Sequence, residues 1–221
     1  DVDGEAESDQ SGSCVALDSN GTVLAIGAPY NAGGSGGYEA GHVRVYEWSG
    51  TAWTQRGSDI DGGSESDRSG TSVSLSADGA RLAVGASYND GGGSDAGHVR
   101  VYEWSGGSWT QMGSDINGEA GSDNSGQAVS LSSDGTRLAV GAPYNTNDGT
   151  GYGTGHVRVY DWSDWSGGSW GQIGSDVDGE AESDYSGGAV ALSSDGTRLA
   201  VGAISNDGGG NDAGHVRVYE I

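Results

Sequence analysis

The chain has 221 residues, 45 of them glycine and none phenylalanine, and it sets 32 acidic residues against 9 basic ones for a formal net charge of −23. A surface that negative repels phosphate backbones and anionic bilayers, which excludes nucleic acid as a partner, and no apolar stretch is long enough for insertion into a membrane. Cys14 is the only cysteine, so no intrachain disulfide is available.

One pattern is written four times. Comparable units open at Asp1, Asp59, Asp115 and Asp176 and divide a single domain into 1–58, 59–114, 115–175 and 176–221, the last incomplete. Self-similarity at roughly 55 to 60 residues belongs to propellers and solenoid arrays. The predicted architecture is therefore all-β, a propeller or propeller-like array of four blades with about four antiparallel strands each.

Each unit opens on an acidic loop and enters a first strand with alternating apolar residues, Val73 and Leu75 in the second unit. Asn20-Gly21, Asp78-Gly79, Asp134-Gly135 and Asp195-Gly196 then predict two-residue hairpins, because these dipeptides tolerate positive φ. The second strand, Leu82-Ala83-Val84-Gly85-Ala86, is built of small residues that suit close packing between sheets. A loop rich in Gly, Asn and Asp leads to a third strand, His98-Val99-Arg100-Val101-Tyr102, with the two valines on one face and His, Arg and Tyr on the other. After a Ser-Gly turn comes a fourth strand, centred on Trp53, Trp109 or Trp170.

These units resemble the FG-GAP repeats of integrin-alpha-like propellers. The resemblance rests on Ser11-Gly12, Ser69-Gly70, Ser125-Gly126 and Ser186-Gly187 before strand one, where the family has Phe-Gly, and on Gly27-Ala28-Pro29 and Gly141-Ala142-Pro143 after strand two. Gly85-Ala86-Ser87 and Gly202-Ala203-Ile204 depart at the last place. It implies a blade of this kind throughout the chain. The family's calcium hairpin, rich in spaced Asp, is reduced here to Ser-Asp-Gly or Ser-Asn-Gly and is not carried over.

Several groups invite chemistry. The acidic loops place hard oxygen donors at close spacing: Asp1, Asp3, Glu5 and Asp9; Asp59, Asp61, Glu65 and Asp67; Asp115, Asn117, Glu119 and Asp123; Asp176, Asp178, Glu180 and Asp184. That pattern suits Ca²⁺, and it equally suits a solvated turn whose side chains bond to local backbone. His42, His98, His156 and His215 hold one equivalent position, where they would meet as a metal site or simply bond to neighbouring loops. Tyr30, Tyr88 and Tyr144 in the loops and Trp48, Trp104 and Trp162 after strand three would stack on sugars or fill gaps between blades, and Trp165 lies in an insertion peculiar to the third unit. Asn20-Gly21-Thr22 is a glycosylation sequon at a hairpin tip.

Every attractive carboxylate or histidine has copies elsewhere, so no singular catalytic group stands out and the chain is expected not to be an enzyme. The expected role is that of an extracellular structural or adhesive repeat protein, with a glycan-binding propeller as the alternative and a glycoside-active enzyme as a remote one. Expected partners are other copies of itself or adjoining repeats, together with glycans or extracellular proteins. Only three fourth strands are written for four units, which leaves Val216, Arg217, Val218 and Tyr219 as an unpaired edge where a further copy would join head to tail in a filament or longer array.

Overall fold

The computed structural model describes the chain apart from residues 33, 35, 147–151 and 165–166, so the Trp165 insertion lies outside the described residues. The four units form four antiparallel sheets, the blades of a β-propeller. Blade one holds β1 (Cys14–Leu17), β2 (Val23–Ala28), β3 (His42–Trp48), β4 (Trp53–Gln55) and β5 (Ile60–Asp61). Blade two holds β6 (Ser69–Leu75), β7 (Arg81–Ala86), β8 (His98–Ser105), β9 (Ser108–Gln111) and β10 (Ile116–Asn117). Blade three holds β11 (Ala128–Leu131), β12 (Arg137–Ala142), β13 (His156–Ser163) and β14 (Ser169–Asp178), and blade four β15 (Ser186–Leu192), β16 (Arg198–Ala203) and β17 (His215–Glu220). No described helix is long and apolar enough to cross a membrane.

The alternation of apolar residues decides which face each blade buries. Val99, Val101 and Ala83 of blade two pack against Val129, Leu131, Leu138 and Val140 of blade three, and the gaps on either side repeat the arrangement with equivalent residues. Three such gaps constitute the core. The second strand lies close enough to the next blade that a Cβ added at Gly85 would sit 2.1 Å from the carbonyl oxygen of Gly126. Gly126 has φ +85°, a left-handed conformation that turns this carbonyl toward the neighbouring strand. Ser72 and Cys14 donate to such carbonyls, at 2.7 Å to Gly126 and 2.9 Å to Gly70. Burial pushes the Cys14 thiol up to about 11, as befits a packing residue.

Two details depart from the sequence expectation. The first hairpin of each blade is not a two-residue turn. In blade two Ser76 N–H bonds to the carbonyl of Arg81 at 2.9 Å, leaving four residues in the loop, and of the Asp78-Gly79 pair only Gly79 has positive φ. The Asp side chain holds the loop instead, accepting from Ser76 Oγ at 2.6 Å and from Ala80 N–H at 2.9 Å. Second, the residues that open each unit belong in space to the preceding blade: Ile60 pairs with Val43, Ile116 with Val99 and Val177 with Val157. Each unit is thereby tied to its neighbour by main-chain hydrogen bonds as well as by the apolar gap.

Candidate functional site

The acidic loops and the glycine-rich loops after the second strands lie on the same edge of every blade, and together they make one loop face. The acidic loop is held by its last carboxylate. Asp9, Asp67, Asp123 and Asp184 are buried and accept the backbone N–H three residues earlier at 2.9–3.1 Å. Asn31, Asn145 and Asn206 of the neighbouring loops donate to three of them at 2.8–3.0 Å. These four carboxylates therefore serve as frame.

The frame forces an unusual backbone. The residues just before and just after each buried Asp have positive φ: Ser8 and Gln10, Ser66 and Arg68, Ser122 and Asn124, Ser183 and Tyr185. For non-glycine residues this costs on the order of 1 kcal/mol or more each, strain that recurs at functional sites. The residue after the Asp differs in every unit while its backbone does not. It is glutamine, arginine, asparagine or tyrosine on one repeated scaffold.

These variable residues meet the loop tyrosines. The Arg68 guanidinium lies 4.7 Å from the ring centre of Tyr30 and 4.3 Å from that of Tyr88, bridging two blades through cation–π contacts. Glu39 fixes it with two bonds to one carboxylate oxygen, at 3.1 and 3.3 Å. Further along, Asn124 donates to the carbonyl of Ser87 at 2.8 Å, and Tyr185 meets Tyr144 edge-on at 5.3 Å. Tyr38, Tyr88 and Tyr144 remain exposed. At the first blade the row borders a cleft of about 720 Å³, lined by Glu5 to Gln10, Tyr30, Asn31, Ala32, Tyr38 and Glu39. Arg68 was open to sequence reasoning as one of two arginines outside the repeated positions, but nothing local marked Glu39 or Tyr38 as its companions.

The tryptophans behave differently. Trp48 and Trp53, Trp104 and Trp109, and Trp162 and Trp170 pair across strands at 5.3–5.4 Å. Trp109 donates to the carbonyl of Arg56 in the previous blade at 2.9 Å, while the Arg56 guanidinium covers Trp104. Trp104, Trp109, Trp162 and Trp170 fill gaps between blades while Trp48 is exposed on blade one, and the exposed aromatics of the loop face are the tyrosines.

The remaining expected ligands fall into inter-unit clusters. Glu5, His42 and Asp59 bring ligand atoms within 4.8 Å of one another, as do Glu119, His156 and Asp176, and among the described residues no three carboxylates of one loop do so. The histidines thus sit in separate gaps. Arg100 makes a two-pronged pair with Asp115 at 2.8 and 2.9 Å, Arg158 pairs with Asp176 and Glu119, and Arg44 with Glu5 at 3.4 Å. The bonds from Arg100 hold the Asp115 carboxyl at about 2, while burial pushes His98 down to about 4 and lowers His156. A guanidinium already neutralises the carboxylates that a cation would need, so any Ca²⁺ here must compete with arginine. Asp61, Asn117 and Asp178 stand opposite His42, His98 and His156 in the strand register; Asp1, Asp3 and Glu65 are exposed; Glu180 pairs with Arg217 and lies 3.6 Å from His215. Asn20 is exposed at its hairpin tip.

No protein-family model matches the chain, and no curated protein matches it in sequence. Among solved structures, one described as a putative 6-phosphogluconolactonase from Bacteroides uniformis is similar over 94% of this chain, with a TM-score of 0.57 and 12% identity, and the chain spans 49% of that protein's length. The tricorn protease gives a TM-score of 0.45 at 15% identity, over 86% of this chain and 15% of that one. At such identities the first likeness is one of fold. It nevertheless corrects the expectation that the chain is not an enzyme. That expectation took repetition as its argument, yet this fold is similar to that of a structure described as a putative 6-phosphogluconolactonase, and the four frames here carry four unlike residues.

Proposed function

We propose that the loop face is a carbohydrate-recognition surface and that the chain serves as an extracellular, adhesive FG-GAP-like propeller module. The observation that carries this reading is the Tyr30–Arg68–Tyr88 stack, whose Tyr30 and whose anchor Glu39 line the acidic cleft. Aromatic faces pack against the C–H faces of a pyranose, and carboxylates accept hydrogen bonds from its hydroxyls. Arg68, anchored by Glu39, fixes both rings before a ligand arrives, which lowers the ordering cost of binding. The exposed sequon at Asn20 fits an extracellular chain. With a net charge of −23, the surface favours neutral or amino sugars over sulfated and uronic ones.

A glycan array followed by calorimetry tests this. Binding to a neutral or amino saccharide is expected, with Tyr88→Ala weakening it about tenfold, roughly 1.4 kcal/mol, and Arg68→Ala weakening it comparably. Thr54→Ala, at an exposed site away from the face, should leave affinity unchanged. An array that captures only sulfated or uronic chains, or none, defeats the proposal.

A further inference from the structure

The first inter-unit cluster is assembled from three separate places. His42 opens β3, Glu5 comes from the acidic loop of the same unit, and Asp59 precedes β5, whose Ile60 and Asp61 pair with Val43 and His42. His42 is 2% exposed, and its Nδ1 faces Glu5 Oε2 across 3.8 Å. That separation is longer than a hydrogen bond, so the buried nitrogen is aimed at the carboxylate without being bonded to it. An imidazole fixed in this way leaves room for a further group between itself and the oxygens.

Arginine does not fill that room in the first gap. Arg44 reaches Glu5 through Oε1 at 3.4 Å and gives another donor to the carbonyl of Asp3 at 2.8 Å, which leaves Glu5 Oε2 turned toward the imidazole. Asp59 is bonded by a neutral amide, that of Gln55, at 2.5 Å. The other gaps differ in this respect. Gly63 stands in the second unit where Glu5 stands in the first, and Arg100 takes both oxygens of Asp115 there. In the third, Arg158 bonds both oxygens of Asp176 and also pairs with Glu119, so a guanidinium holds the place an ion would need.

One imidazole nitrogen with two carboxylate oxygens is a donor set for a borderline divalent ion such as Zn²⁺, whereas Ca²⁺ takes oxygen alone. With metal–ligand bonds of about 2.0–2.2 Å, the donors around a tetrahedral ion stand roughly 3.5 Å apart. Closing to that from within 4.8 Å needs a shift of about 1 Å, and the long, exposed Glu5 side chain supplies it.

We propose that Glu5, His42 and Asp59 bind one Zn²⁺-class ion across the first gap, with water completing the tetrahedron. Arg44 is a positioning residue, holding one Glu5 oxygen so that the other meets the ion. Asp59 belongs to the second unit, so the ion ties one blade to the next. The net charge of −23 draws cations to the whole surface, and the imidazole selects among them. This inference is independent of what the loop face binds.

Calorimetric titration of the full chain with ZnCl₂ tests it, in about 150 mM NaCl with millimolar CaCl₂ present to occupy exposed carboxylates. One Zn²⁺ should bind tightly under these conditions. Glu5→Gln should weaken that site about tenfold or more with little change in the melting temperature of the metal-free chain, since Glu5 is exposed. Glu7→Gln, exposed on the same loop but outside the cluster, should leave the affinity unchanged. Long-range ¹H–¹⁵N spectra of the unmodified chain supply a readout that needs no variant: Zn²⁺ should shift the Nδ1 resonance of His42 and leave that of His98 in place. Zn²⁺ displaced by millimolar Ca²⁺, equal losses in Glu5→Gln and Glu7→Gln, or an unmoved His42 nitrogen overturns the proposal.

Discussion

His98 shows how one buried residue makes this fold sensitive to acid. Burial lowers its pKa from an ordinary 6.5 to about 4, with Arg100 lowering it further and Asp115 and Asp67 opposing. The unfolded chain takes up the proton near 6.5 and the native chain only near 4, so between those values the unfolded state binds more protons and stability falls as the pH falls. His156 acts in the same direction. Urea denaturation at pH 7 and pH 5 should show His98→Asn losing about 2 kcal/mol less than the parent on acidification, and equal losses would mean that the imidazole is not held neutral. Asp115 operates in a lower window. Its carboxyl is held at about 2 rather than 3.8, so its contribution is present above 3.8 and disappears as the pH falls toward 2.

Between elements, the determining feature is how near one blade's second strand comes to the next blade's first. At Gly85 an added Cβ meets Gly126 O at 2.1 Å and Ser72 Oγ at 2.4 Å, while at Gly202, the equivalent in blade four, the nearest atom is Ala189 Cβ at 3.5 Å. Gly85→Ala should therefore cost about 1–3 kcal/mol by overpacking, whereas Gly202→Ala should stay within about 0.5 kcal/mol. Similar losses at both sites would show that strand propensity, not the blade contact, governs the position. Leu138, fully buried in the second gap, gives a harsher test: Leu138→Asp places an unpaired charge in the core and should cost several kcal/mol by chemical denaturation. The strand positions themselves were legible in the alternation around residues such as Val73 and Leu75. The four-residue hairpin loop was not, because the Asp78 carboxylate stabilises a turn that the Asp-Gly dipeptide alone does not specify.

For the whole molecule, charge is the dominant long-range term. Thirty-two acidic groups on 221 residues repel one another, and the arginine pairs offset only part of this. Raising NaCl from about 10 to about 150 mM shortens the screening length from roughly 30 to roughly 8 Å and should raise the melting temperature by several degrees. A melting temperature flat across that range would mean that the carboxylates are too far apart, or too completely paired, to matter.

The sequence by itself determined the four blades, their strands and the small residues of strand two, because these follow from local alternation and from a pattern written four times. It also supplied the donors of the candidate site without their grouping. Asp9 and its equivalents turn inward to bond backbone and asparagine, while Asp115 and Asp176 join histidine and arginine across a gap. Arg68 finds Tyr30, Tyr88 and Glu39 only because adjacent blades bring their loops together and a left-handed backbone aims its side chain. Such contacts join residues of different units and depend on side-chain direction. Neither is written in the spacing of one repeat, and only the packing of blade on blade decided them.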